Sequence, residues 1–374
     1  MNVYIYGAGT SLFGRQPDCT EHQLAWEAVL EALKDAGIDN VDAAYVGTVF
    51  GAHGVAQRCL HALGITEVPI VTVENACASG TTAYHEAQAA VAAGRYRTVL
   101  VLGVEHMTSK IKGPIPTVQT DPEGVSGMPF PGLYAMSASH YMAMHDVSPE
   151  QMAAVAVKNH GHAMHNRRAM HCGDYTIAEV LASRMIVDPL TRLQCSSISD
   201  GAGALVVGVE RGNSRDIRIR SSALRSGGLW DYRSDHAWGF EIVRDVSRDA
   251  FDLAGIGIED VDVLEVHDAF TIGEIITTEG LGMAAEGEGA GLVTGGHTHL
   301  GGKQPVNPSG GLLARGHPIG ATGTAQLFEI VTQLRGEARD RQVEGARIGL
   351  VETMGGSVSG IDGNGCVVTI LERP

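Results

Sequence analysis

Two hydrophobic patterns alternate along the chain: short continuous apolar runs, and longer stretches whose apolar positions recur three and four residues apart. The first kind predicts strands at Val3–Tyr6, Pro69–Val73, Val99–Val104, Ala204–Val207, Ile217–Ile219, Val263–Val266 and Ile348–Glu352. The second predicts helices over Leu24–Leu33 and Phe240–Leu253, each closed by Ala-Gly (Ala36-Gly37 and Ala254-Gly255) and followed by a strand running toward Gly47 or His267. A further pair of helices starts at Ser79-Gly80-Thr81 and at Thr322-Gly323-Thr324, ends at Gly94 and Gly336, and again leads into apolar strands. One helix–glycine–strand unit is thus used twice, which predicts an α/β protein of two similar halves, residues 1–210 and 211–374, divided in the polar stretch Arg211–Asp216. Within the first half, residues 109–190 read as an insertion and loop region, its start a loop over the active face. Pro114, Pro116, Pro122, Pro129 and Pro131 resist regular structure up to 132, and helices are expected at 133–145 and 148–166.

The 374 residues, 44% of them hydrophobic, suffice for one large core or two fused ones. A net charge of -16 without basic runs argues against nucleic acid as a partner. The Cys 6 are scattered without CxxC spacing, so disulfides are not expected. The first residues enter a strand without the segments of an export signal, and no apolar run reaches the roughly 18 to 20 residues of a spanning helix. A cytoplasmic protein without a membrane partner is the expectation.

Three places could carry chemistry. Cys77 lies at the turn from strand 69–73 into the Ser79 helix, where the helix dipole would favour thiolate; the other cysteines read as small core residues. His317 precedes Pro318 in the glycine-rich stretch Val306–Gly323, beside a second helix start that disfavours imidazolium, and a neutral imidazole is a ready base. The repeat puts the Cys77 and His317 helices in equivalent places. His267 ends strand 263–266, where α/β sites form, although an ordinary turn histidine would look the same. Two other patterns are weaker. Gly7-Ala8-Gly9 lacks the third small residue of a dinucleotide loop, and His160, His162, His165 and His171-Cys172 read as a solvated loop rather than a metal site; no metal is expected.

Asn75-Ala76-Cys77-Ala78-Ser79-Gly80, Gln194-Cys195-Ser196-Ser197-Ile198-Ser199-Asp200-Gly201-Ala202, His267-Asp268-Ala269-Phe270, Asn307-Pro308-Ser309-Gly310-Gly311 and Gly316-His317-Pro318-Ile319-Gly320-Ala321-Thr322-Gly323 together resemble the thiolases, in family order over nearly the whole chain. The His-Asp-Ala-Phe form is similar to the archaeal and sterol-carrier-protein-type branch. The resemblance implies two βαβαβαββ halves in a five-layered α/β/α/β/α core, a homodimer or homotetramer, and acyl-CoA as substrate with no further cofactor. It implies Cys77 as acyl-accepting nucleophile, His317 as its base, His267 holding the thioester oxygen of the second substrate, and the Gly355 and Cys77 N–H groups as the other oxyanion hole. An OB-fold/zinc-ribbon acyl-CoA-binding protein is an implied partner.

Thr353 departs from the pattern, because the family places there the cysteine that moves the proton in carbon–carbon bond formation. The alternative position, after His267-Asp268, holds Ala269. Three readings therefore stand: a thiolase-type acyltransferase working by thiolysis or Claisen condensation; a ketosynthase or CoA-linked retro-aldolase on the same fold; or a catalytically weak acyl-CoA-binding scaffold subunit. For the CoA phosphates, Arg225, Arg233 and Arg315 are candidates.

Overall fold

The repeated unit is present at both places. A computed structural model describes residues 1–356 and 358–374. The first half runs β1 (Val3–Thr10), α1 (Glu21–Ala36), β2 (Ala43–Gly47), α2 (Val55–Leu60), β3 (Ile70–Val73), α3 (Ser79–Ala92), β4 (Thr98–His106), α4 (Pro122–Val125), α5 (Phe130–His145), α6 (Pro149–Ala163), α7 (Ile177–Ala182), β5 (Met185–Val187), β6 (Leu190–Thr191) and β7 (Asp200–Val209). The second runs β8 (Ile217–Arg225), α8 (Phe240–Ala254), β9 (Val263–Glu265), α9 (Thr271–Gly280), α10 (Gly289–Thr294), α11 (Gly311–Arg315), α12 (Thr322–Leu334), β10 (Ile348–Gly355) and β11 (Gly365–Glu372). Helices α1 and α8 both stop at a left-handed glycine, Gly37 (φ 67) and Gly255 (φ 66), as their sequences predict.

Nine strands form one sheet in the order β3-β2-β4-β7-β1-β8-β11-β10-β9. The order is close to a mirror image about the β1–β8 seam, where Val3 pairs with Ile219 and Ile5 with Ile217. The counterpart of β3 in the second half has shrunk to a single parallel bridge, Leu264 to Val306.

Strand alternation sorts the side chains into layers. Val99 and Val101 of β4 and Leu205 and Val207 of β7 pack with α3 and α12, whereas Leu100, Leu102, Ala204 and Val206 pack with α1. In the second half Val351 and Leu371 join the α3/α12 layer, while Leu350, Val368 and Ile370 face α8 and α9. The result is α1, half-sheet, α3 with α12, half-sheet, α8 with α9, and the sequence leaves both faces of each half-sheet apolar because both are covered. Gly7 and Gly9, the failed dinucleotide loop, lie within β1. A Cβ there would come within 2.2 Å of the Ala32 carbonyl oxygen and 2.4 Å of that of Ala28, so these glycines let α1 lie close on the sheet.

The insertion is more ordered than its prolines suggest. Pro116 and Pro129 form a bridge, α4 is one short turn, and α5 begins at Phe130 rather than 133 because Pro131 fits a first helical turn, where its missing N–H is not needed. The solvated-loop reading of the histidine cluster is overturned. His160 and His162 are buried on α6 and serve as structural pins: His162 Nδ1 meets the Asn307 carbonyl at 3.0 Å and its Nε2 accepts the Leu300 N–H at 3.0 Å. Among the described residues no helix is long and apolar enough to cross a membrane.

Candidate active site

The chain leaves β3 and reaches α3 through a strained turn. Ala76 has φ 47, a left-handed conformation that costs an alanine about 1–2 kcal/mol. The turn is held by its neighbours: the Ala76 N–H donates to Glu74 Oε1 (2.8 Å), the Ser79 hydroxyl donates to the Ala76 carbonyl (2.6 Å), and the Asn75 N–H donates to Ser79 Oγ (2.8 Å). Cys77 is thereby set just before α3.

His317 arrives from the other half because α3 and α12 cross at their first turns. A Cβ on Gly80 would sit 2.7 Å from the Gly320 carbonyl oxygen, and one on Gly323 would sit 2.4 Å from the Thr81 methyl, so only glycine lets the two helix starts approach this closely. The ligating atoms of Cys77, His267 and His317 all lie within 4.8 Å of one another. The two imidazoles meet edge to face with centroids 5.2 Å apart. Thr322 Oγ1 donates to the Pro318 carbonyl at 3.2 Å and so accepts from His317 Nδ1 at 2.7 Å. That assignment puts the proton of His317 on Nδ1 and leaves the Nε2 lone pair free to act as a base.

Burial decides the charges. The Cys77 thiol is pushed up to about 12 by desolvation, against a smaller opposing effect of N–H groups of Gly356 and of Cys77 itself. The expectation of a helix-favoured thiolate is therefore corrected: losing water outweighs the dipole. His267 is pushed down to about 3 by burial and then by the Arg315 charge, and His317 well below its ordinary value by burial, then by competition with the adjoining His267 for a proton, and by Arg315. Both imidazoles rest neutral, as expected for a base.

Behind His267 lies a buried polar network. Lys158 Nζ donates to Glu274 (2.5 Å) and to the Val306 carbonyl (3.1 Å), while Asn159 Nδ2 bridges Glu274 (2.8 Å) to Asp268 (2.7 Å). Asn307, at φ 55, donates to Glu274 (2.9 Å) and accepts the Val266 N–H (2.9 Å), fixing the strand end from which His267 projects. Glu105 ties the halves together by accepting N–H groups of Val49 (2.8 Å), Phe50 (2.9 Å) and Gly320 (3.1 Å).

Cys77 and His317 open onto a cavity of about 680 Å³ with an apolar wall that includes Phe50, Met107, Ile115, Phe130, Phe270 and Ile319. The predicted segment 194–202 belongs to it: Ile198 bridges to His317, the Ser196 N–H donates to the Ala269 carbonyl (2.8 Å), and Ser196 and Ser197 line the cavity.

The thiolase N-terminal domain family matches residues 3–211, and the thiolase C-terminal domain-like family matches residues 230–368. The chain belongs to the thiolase family. It is 38% identical over 371 residues to the acetyl-CoA acetyltransferase of Methanothermobacter thermautotrophicus, covering 95% of this chain and 97% of that one. It is also 38% identical over 366 residues to the benzoylsuccinyl-CoA thiolase subunit BbsB of Thauera aromatica (95% and 94% covered), and 36% identical over 380 residues to human sterol carrier protein 2 (94% and 70% covered). Among solved structures, the Ltp2-ChsH2(DUF35) aldolase superposes with TM-score 0.84 at 26% identity, covering 100% of this chain and 98% of that one. Human mitochondrial 3-ketoacyl-CoA thiolase, at TM-score 0.76 and 19% identity with 100% and 99% covered, shares the fold.

Within this thiolase, three of the four sequence-predicted site residues converge. The fourth, Gly355, packs its backbone against the Cys77 turn, where a Cβ would be 2.9 Å from the Cys77 nitrogen, and the N–H of the next residue, Gly356, reaches the Cys77 sulfur. The arginine candidates also change. Arg315 is buried against Glu265 (3.1 Å), Arg225 pairs with Asp249 and Arg233 with Asp231, whereas Arg184 and Arg192 line the cavity. Those two, with Glu105, carry no motif signal in the sequence, whereas Thr322 lies in the His317 motif without its role being marked. Thr353 is buried and donates to Gln326 Oε1 at 2.6 Å, so its hydroxyl is aimed at α12, one helical turn beyond Thr322.

These charge states set a pH signature. A neutral thiol facing a neutral imidazole loses its proton during attack, not before it. In His317→Ala, where no imidazole assists and only the small thiolate fraction reacts, the rate of Cys77 alkylation by iodoacetamide is expected to rise about tenfold per pH unit up to about pH 9 without levelling, whereas in the wild type, with the base in place, it is expected to vary little. The acid limb of acyl transfer is expected below pH 6.5, the ordinary histidine value, because His317 resists protonation. A plateau in His317→Ala between about pH 6 and 8 would mean that a thiolate is already formed without the imidazole.

Proposed function

We propose that this protein is an acyltransferase of the thiolase type that takes an acyl group from acyl-CoA onto Cys77 and passes it to a second acceptor by thiolysis or Claisen condensation. The observation that carries the reading is the meeting of Cys77 with the free Nε2 of a neutral His317 at an apolar cavity. In the first half-reaction Cys77 Sγ attacks the thioester carbon while His317 Nε2 takes its proton, and CoA leaves as the thiol when that proton is returned. The N–H groups of Cys77 and Gly355 are assigned to the oxyanion, with the Gly356 N–H beside them at the sulfur. His267 is assigned to the carbonyl of the second substrate. Arg184 and Arg192 at the cavity are assigned to the anionic part of CoA. The names of the acetyl-CoA acetyltransferase and benzoylsuccinyl-CoA thiolase relatives support a CoA thioester substrate.

Rapid-quench mixing with acetyl-CoA tests the first half-reaction. One equivalent of CoA released per site before any steady state supports it, and release without a burst in both wild type and Cys77→Ser contradicts it.

A second reading is favoured by Thr353. With no thiol at that position, and with a solved aldolase among the structural relatives, the fold could cleave a CoA-linked side chain with a partner subunit rather than condense two acyl groups. A threonine hydroxyl has no accessible pKa near neutrality, whereas a cysteine near about 8.5 exchanges its proton readily. Thr353→Cys is expected to raise acetoacetyl-CoA thiolysis by roughly an order of magnitude or more. If the unmodified protein alone already turns over acetoacetyl-CoA as fast as the variant, another residue carries that proton. The homodimeric or homotetrameric assembly and an OB-fold/zinc-ribbon partner belong to the same proposal, the latter supported by the DUF35 component in the aldolase's name.

A further inference from the structure

Cys77, His267 and His317 each offer one ligating atom to a common region, and all three residues are buried. We infer that this triad is also a binding site for a soft divalent cation, zinc above all, which acts as a reversible inhibitor by capturing the nucleophile. One cysteine sulfur and two imidazoles form a donor set of the zinc type, with a fourth tetrahedral position left for water or an incoming sulfur.

Two observations besides the spacing support it. Neither ring nitrogen of His267 has a hydrogen-bond partner among the described residues, although the side chain is buried, so its lone pair is uncommitted. His317 has its Nδ1 held by Thr322 at 2.7 Å, and an outer hydrogen bond of this kind is what orients a metal-bound imidazole. Both imidazoles are neutral at rest and need lose no proton to bind.

The geometry requires a small closure. Zinc bonds of about 2.0–2.3 Å hold tetrahedral ligand atoms roughly 3.3–3.6 Å apart, so from separations of at most 4.8 Å the widest pair must approach by up to about 1.5 Å, which rotation of the side chains can supply. On binding, the Cys77 S–H bond breaks, an Sγ–metal bond forms, and the proton leaves through the cavity to solvent; nothing is oxidised or reduced. Burial disfavours a lone thiolate here, and the cation's charge offsets that penalty. Arg315 opposes the cation, but its charge is balanced by Glu265 at 3.1 Å. Because the cavity reaches Cys77 and His317, bound metal and acyl-CoA exclude each other.

Titration of the whole protein with Co²⁺ reads this site without reference to acyl transfer. A near-ultraviolet thiolate-to-cobalt charge-transfer band is expected, abolished by zinc and by Cys77→Ser. His267→Ala is expected to weaken binding by more than about 100-fold, since loss of an outer partner alone typically costs 10- to 100-fold. Cys172→Ser, which removes the exposed thiol beside His171, is expected to leave band and affinity unchanged. In the unmodified protein, zinc is expected to protect Cys77 from iodoacetamide, and a chelator to reverse the protection. Absence of the band, a band that follows Cys172, or equal affinity in His267→Ala would overturn the inference.

Discussion

His317→Ala is expected to slow acylation of Cys77 by about 10²- to 10⁴-fold, the usual contribution of a positioned base. The resting thiol is pushed up to about 12 by burial, so almost none of it is ionised near neutrality and the proton must be taken in the transition state. CoA binding should change little, because the imidazole meets the reacting sulfur and a base acts mainly in the transition state. His267→Ala should leave the first half-reaction nearly intact and impair the second. Single-turnover CoA release measures both variants, and an equal loss of the burst in each would contradict this division of roles.

The second large effect is on stability. Lys158 and Glu274 are both fully buried, and their 2.5 Å pair anchors Asn159, Asn307 and, through Asn159, Asp268. Lys158→Met leaves Glu274 as an uncompensated buried charge, which typically costs about 3–5 kcal/mol. A fall in Tm of roughly 5 °C or more is expected, with smaller loss in the double variant Lys158→Met/Glu274→Leu, where no charge is left unpaired. Calorimetry on the two variants measures it. A double variant less stable than the single one would show that the pair itself, rather than its charge balance, holds the His267 loop.

Much of this was legible in the sequence because it rests on local rules. The Ala-Gly stops after α1 and α8 need a left-handed residue, and the covered half-sheets need continuous apolar strands. The convergence of Cys77 and His317 followed from the repeat. What could not be read are effects set by tertiary burial. Desolvation reverses the expected charge of Cys77, and the same burial turns His160 and His162 from a polar cluster into structural pins. Glu105, far in sequence from both Phe50 and Gly320, shows no signal until the halves are packed. Arg315 looked like an anion binder only because its partner Glu265 is distant along the chain. That the Gly356 N–H also faces the Cys77 sulfur is a single-residue matter of backbone direction, below what motif spacing resolves.

The most direct test of Cys77 as the acyl acceptor is the intact mass of the protein after brief mixing with acetyl-CoA and acid quench. One acetyl group per chain is expected in the wild type, located on the peptide that contains Cys77 and absent in Cys77→Ser. An adduct that persists in Cys77→Ser, or that maps to Cys195 or Cys366, would contradict the assignment.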